Sequence, residues 1–283
     1  MWKPLLLDAK RLVPAVEDLH HAAQFVAMVG DSYLPKRADD SQNNLNWNQD
    51  TCCLEGRWIE EPAIRVLLDV LNFELVLDKY LTMETIPLEG GTKDQVIGNL
   101  IHLLKMERVN PAILRPISQF EISRNKIDEG ASFSKPPREI LEEWTRYQSN
   151  ALGLLKEIKE QFELASEIRV WPHHFDMGLY IPLSRDETGH DLQSVGLGLS
   201  IADNYVKEPY FYVNHWSKEP LIYPEIFPKA NQGYWNTKDW KGLILPSSEI
   251  IAQSAQEGLV RSFLENGLRI TRELLKQKTL VAD

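Results

Sequence analysis

The strand-like segments of this chain come in contiguous runs, separated by helices, and single strands do not alternate with single helices. The predicted segments are 47–59, 64–77 and 80–88 in the first half, and 168–183, 194–202, 209–216 and 240–245 in the second. Consecutive parallel strands need a crossover helix between them, whereas contiguous strands pair through hairpins. The order therefore predicts an α+β fold with mainly antiparallel sheets in both halves.

Apolar residues at helical spacing predict helices that pack on these sheets, at 14–29, 93–108, 137–162 and 255–276. A further short strand is predicted at 117–122. We expect an N-terminal α+β half at 1–122, a linker or surface loop at 123–137, and a C-terminal half at 138–283 made of a helix, an antiparallel sheet and a closing helix. The similar content of the halves leaves open a distant two-fold relation between them.

Charge and cysteine content limit the classes of partner. The formal net charge is −10, and basic residues occur singly or in pairs, so we expect binding to neither nucleic acid nor an anionic membrane. The two cysteines, Cys52 and Cys53, are adjacent, which favours reduced thiols. No apolar run reaches signal-peptide or membrane-spanning length. These features predict a soluble, cytoplasmic protein.

The densest chemistry is Trp171-Pro172-His173-His174-Phe175-Asp176. If a strand continues through it, alternation places His173 and Phe175 on the core side and His174 and Asp176 on the other. His-x-Asp on one face suits a general base oriented by a carboxylate, or two ligands of a metal ion. The structural alternative is an Asp that accepts main-chain donors and a His that caps a carbonyl.

A strand of small residues follows. In Val195 to Ala202 one face is aliphatic, whereas the other carries Gly196, Gly198 and Ser200 and leaves space above the sheet. Either a ligand or an aromatic side chain from a neighbouring strand can fill that space. The run lacks GxGxxG followed by a helix, which excludes a dinucleotide fingerprint.

An aromatic strand lies beyond it. Tyr210, Tyr212, Asn214 and Trp216 share one face, and His215 lies on the other. Such a face offers rings for stacking and polar tips for hydrogen bonds, but it also suits a half-exposed sheet surface or an oligomer contact. Trp235 would add to either. GxSxG, phosphate-loop, HExxH and CxxC motifs are absent, so no common catalytic template applies.

Several of these stretches together resemble an uncharacterised bacterial family, a domain of unknown function. The resemblance rests on Leu19 to Val26, on a Trp-Pro-x-His-Phe-Asp pattern at Trp171 to Asp176, and on a Pro-Tyr-x-Tyr-Val pattern at Pro209 to Val213. Some members of that family lack the histidines, so the resemblance implies that Phe175 and Asp176 are structural or shape a pocket. It brings no established activity.

We therefore expect a small-molecule pocket over the C-terminal sheet. Its predicted ligand-binding residues are His174, Asp176, Gly196, Gly198, Ser200, Tyr210, Tyr212, His215 and Trp235. One alternative is a metal-assisted hydrolase in which His174, Asp176 and His215 hold a divalent ion. Another is a non-catalytic interaction module whose aromatic strand forms a homo-oligomer or partner surface.

Overall fold

A computed structural model describes residues 1–276 except 62, 81, 116–121, 123, 222 and 224–226. Its α-helices are α1 (Val13–Tyr33), α2 (Lys93–Met106), α3 (Arg138–Lys159), α4 (Ser247–Ile251) and α5 (Gln256–Lys276). Its strands are β1 (Asn46–Asn48), β2 (Cys53–Glu55), β3 (Arg65–Asp69), β4 (Glu74–Asp78), β5 (Met83–Pro87), β6 (Arg169–Trp171), β7 (Asp176–Arg185), β8 (Asp191–Ser200), β9 (Tyr210–Ser217), β10 (Tyr234–Asn236) and β11 (Gly242–Pro246). Neighbouring strands pair antiparallel, which confirms the predicted α+β fold. None of the described helices has the length and apolarity that a membrane crossing requires.

The chain divides into two compact units. The N-terminal unit comprises Arg11–Gln148 and Arg169–Phe175, and the C-terminal unit comprises Met1–Lys10, Ser149–Ile168 and Asp176–Asp283. This division differs from the predicted halves at 1–10, 138–148 and 169–175, and the predicted linker at 123–137 belongs to the N-terminal unit.

Specific hydrogen bonds explain the assignment of the first residues and of β6. The side chain of Gln256 accepts from the amide of Leu5 at 2.8 Å and donates to its carbonyl at 2.9 Å, which ties the first residues to the C-terminal unit. Val170 exchanges two main-chain hydrogen bonds of 2.9 Å with Leu45, which ties β6 to the N-terminal unit.

The N-terminal unit is built on an antiparallel meander in the order β1-β2-β3-β4-β5. One cross-strand row is buried throughout and consists of Trp47, Leu54, Leu68, Leu75 and Ile86. At Gly56 a Cβ atom would lie 2.8 Å from the carbonyl of Val66 and 2.9 Å from Cγ1 of Val26, so only glycine lets helix α1 pack so closely here.

Two of the predicted strand segments are hairpins. The segments at 47–59 and 64–77 each contain a tight turn, in which Cys52 (φ 56°) and Phe73 (φ 58°) adopt left-handed backbone conformations. The carboxylate of Asp69 stabilises the second turn by accepting from the amide of Asn72 at 2.9 Å. The strand predicted at 117–122 lies, apart from residue 122, outside the described residues.

The C-terminal unit contains strands in the order β10-β11-β9-β8-β7. Leu197, Val213 and Leu243 are register partners and form part of the aliphatic face, which α5 covers. A Cβ atom at Gly267 would lie 2.8 Å from Cγ2 of Val213, so this glycine allows the helix to lie directly on the sheet. The opposite face carries the small residues that the sequence predicted.

The prediction of a continuous strand through Trp171 to Asp176 is wrong. Residues 172–175 form a turn between β6 and β7, closed by a 2.7 Å hydrogen bond from the amide of Phe175 to the carbonyl of Trp171. Phe175 has φ 53° and is buried, stacked on the rings of His20 at 4.9 Å and Trp144 at 5.6 Å. As a result His174 is exposed and His173 is half-buried. The predicted alternation begins only at Asp176.

Candidate functional site

The open face of the C-terminal sheet is organised by strand register. Gly198 lies between Gly178 and Tyr212, and Gly196 lies between Tyr180 and Asn214. Two residues before Gly196 in β8, Ser194 is paired with Trp216 of β9. The face therefore has two parts, one around Gly198 and one around Gly196 and Ser194.

The part around Gly198 is filled by the protein's own tyrosines. A Cβ atom at Gly198 would lie 2.8 Å from Oη and 2.9 Å from Cε1 of Tyr212, so the phenol ring occupies the space above this glycine. Tyr212 donates from Oη to Oδ2 of Asp176 at 2.6 Å. Tyr210, paired with Ser200, is buried and donates to Oδ2 of Asp203 at 2.6 Å. At this end of the sheet, therefore, an aromatic side chain from the neighbouring strand, and not a ligand, fills the space above the small residues.

These tyrosines act as hydrogen-bond donors in the neutral form. Burial, reinforced by the charge of Asp176, raises the pKa of Tyr212 well above its ordinary value. Burial and the hydrogen bond to Asp203 likewise raise the pKa of Tyr210. Both phenols remain protonated at neutral pH, and neither can act as a general base there.

The part around Gly196 is an open groove, which we call the sheet groove. Its volume is about 950 Å³. It is lined by Tyr180, His190, Asp191, Ser194, Gly196, Asn214, His215, Trp216 and Lys218. Of the predicted ligand-binding residues, only Gly196 and His215 belong to it.

Two aromatic side chains flank the floor of the sheet groove. Tyr180 of β7 is 39% exposed and Trp216 of β9 is 49% exposed, with Gly196 and Ser194 of β8 between them. Since adjacent strands are roughly 4.8 Å apart, the two outer strands stand roughly 10 Å from each other.

Polar groups line the edges of the groove. Tyr180 donates from Oη to Oδ2 of Asp191 at 2.7 Å, and Arg185 donates from Nε to Oδ1 of the same carboxylate at 2.7 Å. Although burial acts in the opposite direction, the hydrogen bonds from Arg185 and Tyr180 lower the pKa of Asp191. The groove therefore has a fixed carboxylate beside Tyr180 and the amide of Asn214 at its floor.

His215 approaches the groove from the aliphatic side of the sheet, because it is the register partner of Val195. Its Nε2 lies 3.1 Å from Oη of Tyr223, and its ring contacts that of Trp235 with centroids 6.5 Å apart. Burial lowers the pKa of His215 to about 4, so the imidazole is neutral at physiological pH. Trp235 donates from Nε1 to the carbonyl of Pro228 at 2.8 Å.

The structure does not bring the predicted metal ligands together. Asp176 belongs to the same sheet face as Tyr212, whereas His215 lies on the opposite face. His174 is an exposed residue of the turn at 172–175, which belongs to the N-terminal unit. Among the described residues, no group of three or more histidines, cysteines and carboxylates is arranged to hold a metal ion.

The sequence placed Asn214 and Trp216 on the correct face of their strand, but neither they nor Tyr180 were included in the predicted pocket. The deciding information is the register, which pairs Gly196 with Tyr180 and Asn214 and pairs Gly198 with Tyr212. Alternation alone gives the face of a residue and not its partner across the sheet.

Comparison with known proteins adds no relative: no family model, no curated protein and no solved structure matches this chain. The resemblance to an uncharacterised bacterial family thus stays a prediction.

Proposed function

We propose that the protein binds a small polar molecule with a flat ring in the sheet groove. The observation that carries this proposal is the pair of exposed rings, Tyr180 and Trp216, on either side of a floor of Gly196 and Ser194. Stacking of an aromatic side chain on a ligand ring is favourable. Without a ligand, the apolar surface of these side chains stays in contact with water, which is unfavourable.

The polar groups of the groove define the rest of the ligand. Asn214 offers both a donor and an acceptor, and the carboxylate of Asp191 accepts hydrogen bonds. Lys218 and His190 stand at the margin, and the side chain of His190 is 79% exposed. This combination suits hydroxyl or amino groups on a ring. The volume, about 950 Å³, lies within the range of small-molecule sites.

A ligand screen tests the proposal. Purified protein is titrated with monosaccharides, nucleosides and aromatic acids, and binding is followed through the amide NMR signals of Gly196 and Asn214. We expect at least one of these classes to shift both signals saturably, and we expect Trp216→Ala to weaken that binding about ten-fold or more, since a stacked ring contributes roughly 1–3 kcal/mol.

Tyr234→Ala is the matched control. Tyr234 is another exposed aromatic residue of the same sheet, at 44% exposure, and it lies outside the sheet groove. Its loss should leave binding unchanged. If light scattering shows instead a dimer that Trp216→Ala dissociates, the rings belong to a self-association surface and the ligand proposal fails.

A further inference from the structure

The N-terminal unit contains a second, more polar pocket. Its volume is about 810 Å³, and four arginines line it: Arg37, Arg57, Arg65 and Arg169. We call it the arginine pocket. Its lining carboxylates are Glu55, Glu60 and Glu61, so cations outnumber anions there although the whole chain carries a net charge of −10. The lining of the arginine pocket is therefore locally cationic, whereas the chain as a whole is anionic.

One of the four arginines is part of the wall. Arg65 forms ion pairs with Glu55 at 3.0 Å and with Asp78 at 2.9 Å, and its guanidinium lies 4.6 Å from the ring centroid of Trp58. Two carboxylates and an aromatic face thus stabilise this charge. Arg65 and Glu55 together hold the strands that form the back of the pocket.

Two further arginines are oriented by neutral groups. Arg57 donates from Nε to the carbonyl of Ser41 at 2.6 Å and from Nη2 to Oδ1 of Asn44 at 2.9 Å. Arg169 donates from Nη1 to Oδ1 of Asn46 at 3.2 Å, and Asn46 in turn donates to Glu55 at 3.1 Å. Asn46 therefore orients Arg169 without neutralising its charge.

Arg169 is the cation whose environment most clearly lacks an anion. The residues that the structure describes include no carboxylate within 4.0 Å of it, and its Nε is buried with no hydrogen-bond partner. A half-buried guanidinium has lost part of its hydration, and an anion that accepts hydrogen bonds from its unpaired donors offsets part of that cost. Arg37 stands exposed at the rim of the same pocket.

We propose that the arginine pocket binds a small organic anion through its carboxylate or phosphate group, with Arg169 as the principal contact and with Arg57 and Arg37 assisting. The planar guanidinium presents paired donors that match either oxyanion. This site is separate from the sheet groove and does not depend on the function proposed there.

Calorimetric titration of the full chain with inorganic phosphate and, separately, with succinate tests this inference at constant low ionic strength. We expect saturable binding of at least one probe, and the better probe identifies which oxyanion the site prefers. Arg169→Met should weaken that binding about ten-fold to a hundred-fold, because a hydrogen bond to a charged group contributes roughly 1.5–3 kcal/mol. Added chloride should weaken it as well.

Two other variants make the result decisive. Arg37→Met removes an exposed rim cation and should weaken binding several-fold even if Arg169→Met fails to fold. Arg138→Met removes an arginine of α3 whose side chain is 57% exposed and ion-paired with Glu142, and it should change nothing. No saturable binding by either probe, or equal weakening by Arg138→Met and Arg37→Met, would overturn the inference.

Discussion

The ring of Tyr212 occupies the space above Gly198, where a Cβ atom would lie 2.8 Å from the phenol oxygen. The phenol ring fills this end of the small-residue face, whereas at the other end the smaller side chain of Asn214 lies over Gly196 and the sheet groove opens beside it. The position of the candidate site follows from this difference.

Replacing Gly198 tests how tightly the closed end is packed. The added methyl group of Gly198→Ala would overlap the carbonyl of Met177 and press against Tyr212. We expect a loss of about 1–3 kcal/mol in the free energy of unfolding, as for overpacked cores. Gly153→Ala, in α3, meets nothing within 4 Å and should stabilise by up to about 1 kcal/mol. Urea denaturation measures both, and equal effects of the two variants would contradict this packing.

Gly196→Ala tests the open end. Its methyl group would meet only the side chain of Asn214, whose rotation can relieve the overlap, whereas the overlap at Gly198 is with a main-chain carbonyl. We expect the ligand found in the screen to bind several-fold more weakly, while the free energy of unfolding changes by less than about 1 kcal/mol. Undiminished binding to a folded Gly196→Ala variant would show that the ligand sits elsewhere.

The buried tyrosines predict a loss of stability at high pH. The pKa of Tyr212 is raised in the folded protein, so the unfolded chain releases this proton first once the pH exceeds about 10. Stability is therefore fully present below pH 10 and declines above it. Tyr212→Phe should flatten this decline, whereas Tyr80→Phe, at a residue 71% exposed, should not. Urea denaturation at several pH values between 8 and 11 measures the slopes.

A buried histidine predicts the opposite dependence at low pH. His20 lies in α1 with Nε2 2.7 Å from the carbonyl of Pro172, and burial lowers its pKa from 6.5 to about 4. The unfolded chain takes up this proton first, so stability is fully present above pH 6.5 and is lost as the pH falls towards 4. The loss is about 3 kcal/mol from this group.

His20→Gln should remove that part of the acid dependence, whereas His190→Gln, at a side chain 79% exposed, should leave it intact. Denaturation between pH 7 and pH 4 measures the difference. Parallel pH profiles for the native chain and His20→Gln would contradict the assignment.

The sequence predicted the fold class and the two-faced strand from Val195 to Ala202, because alternation with a period of two is a local property. It did not predict the turn at 172–175, in which Phe175 adopts a left-handed backbone conformation that favours glycine. The packing of Phe175 between His20 and Trp144 stabilises that turn, and both partners are distant in sequence.

Register explains why the site was only partly predicted. Gly196 and Asn214 were each assigned to a face, but their pairing with each other and with Tyr180 depends on how three strands align. The arginine pocket is even less predictable from the sequence, since Arg37, Arg57 and Arg169 are scattered along the chain and form no local motif. Such a site becomes visible only in three dimensions.

The effect of Trp216→Ala on ligand binding, followed through the amide signals of Gly196 and Asn214, tests most directly whether the sheet groove binds a ligand. We expect saturable shifts in the native chain, about ten-fold weaker binding in Trp216→Ala, and no change in Tyr234→Ala. Binding that survives Trp216→Ala unchanged, or the absence of any shift at Gly196 across the whole panel, would contradict it.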